Sequence, residues 1–247
     1  MKPYQHVPIF ESGEPLVAIP PELFWFELPH PYARLGAPYG QTSPFWLRQG
    51  VLNSLVQAQT TLQRNHPNWQ ILIFDAYRPV AVQQFMVEHT FAEVAQGKTE
   101  LNSAQTEAIW QQVYQIWAVP SHDPLTPPPH STGGAVDISL IDQAGQSVWM
   151  GSPIDELSTR SQPDYFAKLA AAPNASELER SQAEQAATHR QILCDVMTAA
   201  GFERHLGEWW HFCLGDQMWA WLRQQRGDQT AIARYGRADL LAEPERT

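Results

Sequence analysis

A histidine and an aspartate seven positions apart are the first pair of side chains in this sequence that could bind a metal. His130 begins the segment His-Ser-Thr-Gly-Gly-Ala-Val-Asp, which ends at Asp137. Its two adjacent glycines allow the backbone to turn, so an imidazole in a loop and a carboxylate on the next strand can reach the same face. We interpret the pair as candidate metal ligands, although a histidine that caps a turn and a solvent-paired aspartate explain this segment equally well.

Residues 208–211, with the sequence Glu-Trp-Trp-His, supply what such a site would still need. A catalytic zinc commonly has three protein ligands and keeps its fourth position for water, so His211 is the candidate third ligand. Side chains three positions apart on a regular strand point to opposite faces, and Glu208 must therefore lie in the turn after Gly207 or at a bulge. Taken alone, a strand histidine among aromatic residues is more often a core residue than a ligand.

Arg78 is a further candidate because of its place between two predicted elements. The apolar run at 71–74 has strand propensity, and Pro79 is suited to the first turn of a helix. Arg78 thus lies at a strand-to-helix junction. Most arginines are surface cations without a special role, and that interpretation stays open for this residue.

The elements that must position these side chains follow the apolar pattern. Apolar residues recur every three or four positions in several segments and predict helices, which we place at 43–65, from 79 onward, at 103–117 and at 186–200. Short apolar or alternating runs predict strands at 71–74, 134–140 and 209–213, with a turn at 142–145 and a returning strand at 146–150. We predict an α+β fold in which a mainly antiparallel central sheet is flanked by helices and carries the metal site in a cleft.

The chain is expected to form one domain over residues 1–247. Residues 1–42 are rich in proline, glycine and aromatic side chains and predict an irregular segment wrapped over the domain. Residues 120–129 contain five prolines and predict a loop. Residues 159–183 are polar and are interpreted as an exposed insertion that either covers the pocket or narrows its entrance.

Composition excludes some partner classes. The 26 acidic residues outnumber the 16 basic ones, and a net charge of -10 repels nucleic acid. No segment approaches the roughly 20 apolar residues that a membrane helix needs, and no secretory signal is visible. Cys194 and Cys213 do not indicate a disulfide framework. We expect a cytoplasmic protein without nucleic-acid or membrane partners, and protein partners are not predictable.

Together these segments resemble the zinc D-alanyl-D-alanine dipeptidases of glycopeptide resistance and, more loosely, the related D,D-carboxypeptidases and D-amino-acid-specific endolysins. The resemblance runs in order over residues 70–215. Its motifs are Phe74-Asp75-Ala76-Tyr77-Arg78-Pro79, Phe85-Met86, the segment 130–137, Met150-Gly151-Ser152-Pro153-Ile154-Asp155, Gly201-Phe202 and the segment 208–211.

This resemblance implies one zinc ion per chain, bound by His130, Asp137 and His211. It also implies that Glu208 is the catalytic base that handles the proton of the attacking water, and that Arg78 faces the oxygen that becomes negative in the tetrahedral intermediate. Each role agrees with the chemistry of the residue type, since zinc acidifies bound water and an arginine stabilises a developing oxyanion.

The resemblance further implies two substrate-binding residues. Asp155 matches the family position that receives the free ammonium of the substrate, and Tyr32 matches a tyrosine near the substrate's amino end. One departure concerns Pro128, since the family usually has a serine two positions before its first zinc histidine. Proline lacks both the hydroxyl and a backbone N–H, so substrate contacts on that side must differ.

The implied activity is zinc-dependent hydrolysis of D-Ala-D-Ala, or a similar small D,D-dipeptide, to free D-amino acids. Two alternatives stay open at this point. A D,D-carboxypeptidase acting on peptidoglycan stem peptides would use the same centre, and a non-catalytic zinc-stabilised binding module would keep only the metal. Glu208 and Arg78 argue against the binding module, because a structural zinc needs neither and usually has four protein ligands.

Overall fold

Helices and strands are mixed along the part of the chain that the computed structural model describes, residues 2–98 and 100–240. The strands are β1 (Leu16–Ala18), β2 (Trp25–Phe26), β3 (Trp46–Arg48), β4 (Trp69–Asp75), β5 (Ala135–Asp142), β6 (Glu203–Arg204) and β7 (His211–Cys213). The helices are α1 (Pro31–Arg34), α2 (Gln49–Asn65), α3 (Val80–Ala95), α4 (Ser103–Ile116), α5 (Tyr165–Ala170), α6 (Glu177–Ala199) and α7 (Gln217–Gln225). Short 3-10 helices lie at Pro3–His6, Pro129–Thr132, Thr159–Ser161 and Ala238–Leu240.

A five-stranded sheet with the order β2-β4-β5-β7-β6 is the centre of the fold. The pairs β4–β5, β5–β7 and β6–β7 are antiparallel, and only β2 runs parallel to its neighbour β4. A second sheet pairs β1 with β3. The predicted α+β class with a mainly antiparallel sheet is confirmed.

Alternation along β5 decides which face of the sheet is covered. Val136, Ile138 and Leu140 are fully buried in the main core, together with apolar side chains of α2 and α6 such as Leu55 and Leu193. Successive strand residues point to opposite faces, so Asp137 projects away from this core. Burying each large aliphatic side chain contributes roughly 1.5–3 kcal/mol, and this face therefore anchors the strand that carries the candidate ligand.

Several predicted boundaries differ from the structure. Helix α2 begins at Gln49 and not at 43, because residues 46–48 pair with β1 as a strand. Strand β7 begins at His211 and not at 209. The returning strand predicted at 146–150 is reduced to an isolated bridge between Ile141 and Ser147. In the first case, pairing with a segment about thirty residues earlier decides the boundary.

Two segments without a predicted regular element contain short ones. Residues 2–42 include β1, β2 and α1, and β2 joins the edge of the central sheet. Within 159–183 lie a 3-10 helix, α5 and the start of α6, and most side chains there are at least partly exposed. Phe166 of α5 is nevertheless buried against Ala183 and Ala186 of α6. In the described part of the chain, no helix has both the length and the apolar character to cross a membrane.

Gly133 lies where the loop carrying His130 returns to the sheet, and its conformation requires glycine. Its φ is +71°, and an added Cβ would lie 2.4 Å from Leu16 Cδ2 and 3.3 Å from the backbone nitrogen of Arg48. Gly97 has the same φ of +71°, and no atom of the described residues lies within 4 Å of an added Cβ. A substitution at either glycine strains the backbone equally, but only a substitution at Gly133 also brings the new side chain into contact with neighbouring atoms.

We predict that Gly133→Ala lowers the free energy of unfolding more than Gly97→Ala does. Both substitutions place a side chain in the left-handed region, at about 1–2 kcal/mol each. Only Gly133→Ala adds a clash with neighbouring atoms. Urea denaturation of both variants measures the difference, and equal losses would show that the contacts around Gly133 are not tight.

Candidate active site

Three buried side chains that the sequence analysis selected lie together at the sheet. His130 belongs to the 3-10 helix Pro129–Thr132, Asp137 lies on β5, and His211 is the first residue of β7. The distances are 3.1 Å between His130 Nε2 and His211 Nδ1, 3.0 Å between His211 Nδ1 and Asp137 Oδ1, and 3.2 Å between His130 Nε2 and Asp137 Oδ2. The structure therefore brings the three predicted ligands to one point.

Backbone register and one hydrogen bond position these atoms. Asp137 and His211 are direct partners in the β5–β7 ladder, so their side chains lie side by side. The Nδ1 atom of His130 lies 2.6 Å from the carbonyl oxygen of Ala76. A carbonyl only accepts hydrogen bonds, so Nδ1 carries the proton and the Nε2 lone pair faces the cluster.

The arrangement fits a divalent metal ion. Two imidazole nitrogens and a carboxylate are a donor set of catalytic metal sites, and bonds of about 2.0–2.2 Å to a tetrahedral ion separate the ligand atoms by roughly 3.3–3.6 Å. The observed separations of 3.0–3.2 Å are close to this spacing. The hydrogen bond from His130 to a backbone carbonyl is also the usual outer contact of a metal-binding histidine.

Glu208 lies beside this cluster, in the loop after Gly207, as the sequence predicted. It is buried, its Oε2 atom is 3.9 Å from His211 Nδ1, and its Oε1 atom is 3.4 Å from Nδ1 of His205. Burial, followed by the charges of Asp137 and Asp155, holds the pKa of Glu208 well above its usual range. A carboxyl group with a raised pKa is suited to accept and return a proton.

Arg78 follows β4 and is held rigidly. Its Nε and Nη2 atoms donate to Asp75 Oδ2 at 3.0 and 2.8 Å, and Nη1 donates to Gln83 Oε1 at 2.8 Å. The guanidinium lies 5.0 and 4.9 Å from the ring centres of Tyr32 and Trp117. Burial lowers the pKa of Arg78, but Asp75 and Tyr32 raise it more, so the pKa is above its usual value and the side chain stays charged.

Asp75 is a residue of the site to which the sequence analysis assigned no role. It is completely buried, and besides Arg78 it contacts His30 Nε2 at 3.1 Å and Tyr39 Oη at 3.0 Å. Burial raises the pKa of Asp75, but Arg78 and His30 lower it below its usual value. Its position three residues before Arg78 in the same motif could have indicated that it pairs with the arginine. Nothing in the nearby sequence indicates its contacts with His30 and Tyr39.

Asp155 and Tyr32 lie together close to Arg78. The hydroxyl of Tyr32 donates to Asp155 Oδ2 at 2.7 Å, and Arg78 Nη2 is 3.5 Å from the same hydroxyl. Asp155 is one of the residues that line the cavity formed around His130, Asp137 and His211, whereas Tyr32 is not among them. Burial, followed by the charge of Asp137, raises the pKa of Asp155 from 3.8 to about 7.

The cavity is also lined by residues that sequence analysis did not select, among them Lys2, Tyr4, Tyr114, Trp117, His205 and Met218. Burial, followed by the charge of His211, lowers the pKa of His205 to about 3, so this imidazole is neutral. Among the described lining residues, none belongs to the segment 159–183. The expectation that this segment covers the pocket or narrows its entrance stays a prediction.

Comparison with known proteins agrees with this geometry. The family profile described as D-ala-D-ala dipeptidase (Peptidase_M15) matches residues 27–230. The chain belongs to this family. The predicted family resemblance is thereby confirmed, and membership makes the chain a peptidase.

Individual relatives extend the similarity to nearly the whole chain. A D-alanyl-D-alanine dipeptidase of Synechocystis sp. is 54% identical over 245 residues, which cover 97% of this chain and 98% of the relative. A D-alanyl-D-alanine dipeptidase of Escherichia coli is 28% identical over 143 residues, which cover 58% of this chain and 54% of the relative. The solved structure of the LdcB LD-carboxypeptidase has a TM-score of 0.44 and 13% identity, and the match covers 88% of this chain and 75% of that chain.

We predict that Asp137→Asn reduces metal binding strongly, because the amide removes the only negative charge among the three ligands. Asp142→Asn is the matched control, since it makes the same change at the end of β5, outside the cluster. Metal content after dialysis and the shift of the melting temperature on adding zinc report binding without requiring activity. Equal metal content in both variants would exclude Asp137 as a ligand.

We predict that Asp155→Asn stabilises the metal-free protein, more at pH 8.5 than at pH 5.5. The folded chain retains a proton on Asp155 up to about pH 7, whereas the unfolded chain loses it near 3.8, so stability falls as pH rises through this interval. Asparagine tolerates the φ of 63° at this position. Calorimetry in a chelator should show a rise in melting temperature of roughly 2–4 °C at the higher pH. The same difference at both pH values would contradict the assignment.

Proposed function

We propose that this protein hydrolyses D-Ala-D-Ala, or a similar small D,D-dipeptide, to free D-amino acids with one bound zinc ion. The observation that carries the proposal is the cluster of His130, Asp137 and His211 with Glu208 beside it. The 54% identity to a D-alanyl-D-alanine dipeptidase over 97% of the chain supports the substrate class.

The metal ligands and Glu208 have complementary roles in this proposal. Zinc held by His130 Nε2, Asp137 and His211 Nδ1 would acidify a water molecule and polarise the peptide carbonyl. Glu208 takes the proton from that water and returns it to the leaving amine. Its buried position beside His211 keeps the proton within reach of the reacting groups and away from bulk solvent.

Arg78 stabilises the oxygen that becomes negative in the tetrahedral intermediate. Such a cation is most effective when it is already in place and shielded from water. Both conditions hold, because Asp75 and Gln83 fix the guanidinium and only 4% of its residue surface is exposed. Asp75 is therefore a positioning residue, while Arg78 is assigned a catalytic role.

Asp155 binds the free ammonium of the substrate, and the hydroxyl of Tyr32 orients the carboxylate of Asp155 by a hydrogen bond. A buried carboxylate beside other acidic groups is favoured by a bound positive charge, which lowers its pKa. An N-acylated peptide lacks that charge and would leave Asp155 unpaired. The buried carboxyl group of Asp155 therefore favours a dipeptidase over a carboxypeptidase that trims longer stem peptides.

The test is the release of D-alanine by the zinc-loaded protein. We predict turnover of D-Ala-D-Ala and little or no turnover of N-acetyl-D-Ala-D-Ala. Comparable turnover of both would favour a D,D-carboxypeptidase, and bound zinc without turnover of either would favour a non-catalytic binding module.

We predict that Glu208→Gln keeps the zinc but loses roughly 10²-fold to 10⁴-fold in kcat, the usual contribution of a general base. Glu107→Gln on the exposed surface of α4 makes the same chemical change away from the cavity and should be unaffected. Zinc content and kcat are measured for both variants. Unchanged turnover by Glu208→Gln would remove this residue from the mechanism.

A further inference from the structure

Lys2 places an ammonium group at the wall of the active-site cavity. It lines the same cavity as His130 and Glu208, and its Nζ atom lies 3.3 Å from the carbonyl oxygen of Tyr114 near the end of α4. Its positive charge acts on Glu208 and His205. Lys2 also lies outside the residues that match the family profile, which begin at 27.

The segment that carries Lys2 is anchored to the domain. The Nε2 atom of Gln217 on α7 lies 2.7 Å from the carbonyl oxygen of Val7 and 3.3 Å from that of Gln5. Tyr4, two residues after Lys2, is buried in the same apolar cluster as Met218. These contacts hold the backbone next to Lys2 at the cavity, and the exposed side chain of Lys2 lines it.

The roles assigned so far include no cationic side chain for the carboxylate of the substrate. A free dipeptide has an ammonium and a carboxylate, and the proposed function assigns the ammonium to Asp155. Of the described lining residues, the lysine and arginine side chains are Lys2 and Arg78. Arg78 already pairs with Asp75, whereas in the described residues Lys2 forms no ion pair and donates only to a neutral carbonyl.

The loop before His130 offers few donors of its own. Pro128 and Pro129 are consecutive, and neither has a backbone N–H. Pro129 lines the cavity together with Lys2. A carboxylate on this side must therefore find its hydrogen-bond donors elsewhere, and an ammonium group forms charge-assisted bonds to carboxylates.

We propose that Lys2 is a specificity-determining residue that binds the C-terminal carboxylate of the dipeptide. This inference rests on the proposed function, because it takes a free dipeptide as the substrate. Asp155 would bind the ammonium and Lys2 the carboxylate of the same substrate molecule. A peptide of another length could not place both groups at these two residues, so the pair would select dipeptides. The competing explanation is structural, since a cation near the carboxyl end of α4 also interacts favourably with the helix dipole.

The test compares D-Ala-D-Ala with its C-terminal amide in the zinc-loaded protein. Lys2→Met should raise KM for the dipeptide by roughly 10-fold, which is the usual contribution of a hydrogen bond to a charged group. Its kcat should stay within about twofold of the wild-type value. The amide lacks the negative charge, so its KM should stay within about twofold. Lys2→Arg should restore most of the affinity. Lys168→Met, which removes a lysine outside the cavity, is the matched control.

Binding of the dipeptide to Glu208→Gln, with and without Lys2→Met, gives a calorimetric Kd that does not depend on turnover. An equal effect of Lys2→Met on the dipeptide and the amide, or no effect on either, would overturn the role of Lys2 and leave the proposed function standing. A lower melting temperature alone would identify Lys2 as a helix cap and overturn the role as well. A wild-type protein that neither binds nor hydrolyses the dipeptide would overturn the proposed function and this inference together.

Discussion

The site depends on the close approach of three lone-pair donors in a buried place. Asp137 and His211 are neighbours across the β5–β7 ladder, and the Ala76 carbonyl turns Nε2 of His130 toward them. Burying such groups without a cation or a proton between them is unfavourable. A metal ion satisfies all three at once. The register of the sheet and the left-handed turn at Gly133 are the structural conditions for this geometry.

Three acidic side chains lie around the same cavity, and two of them have raised pKa values. Asp137, Asp155 and Glu208 surround it, and the pKa values of Asp155 and Glu208 are raised by burial and then by Asp137. Arg78 offsets part of this charge but is engaged by Asp75. A bound cation and a substrate ammonium would complete the balance. Burial of these acidic groups is unfavourable in the empty site, and a bound cation would reduce that cost.

The sequence was most informative where a local pattern specified the answer. Alternation in β5 placed Asp137 on the face opposite Val136 and Ile138, and the glycine before Glu208 placed that residue in a turn. The helix predicted to end at 200 ends at Ala199, and Gly201 just beyond it has a φ of +94°. These features depend on neighbouring residues and are therefore readable from a single chain.

Features made by distant residues were not predictable in the same way. Helix α2 begins late because β1, about thirty residues earlier, pairs with residues 46–48. The contacts of Asp75 with His30 and Tyr39, and the place of Lys2 at the cavity, likewise join segments far apart in sequence. No local periodicity encodes such neighbours, so the outer part of the site required the three-dimensional structure.

Binding of one zinc ion by His130, Asp137 and His211 is the proposal on which the other roles depend. Diffraction data collected on either side of the zinc absorption edge, from crystals grown with zinc, test it most directly. We expect one anomalous peak at about 2.0–2.2 Å from His130 Nε2, an oxygen of Asp137 and His211 Nδ1. A map without a peak at this position would contradict the proposal, whether the three side chains hydrogen-bond directly to one another or the zinc is bound elsewhere.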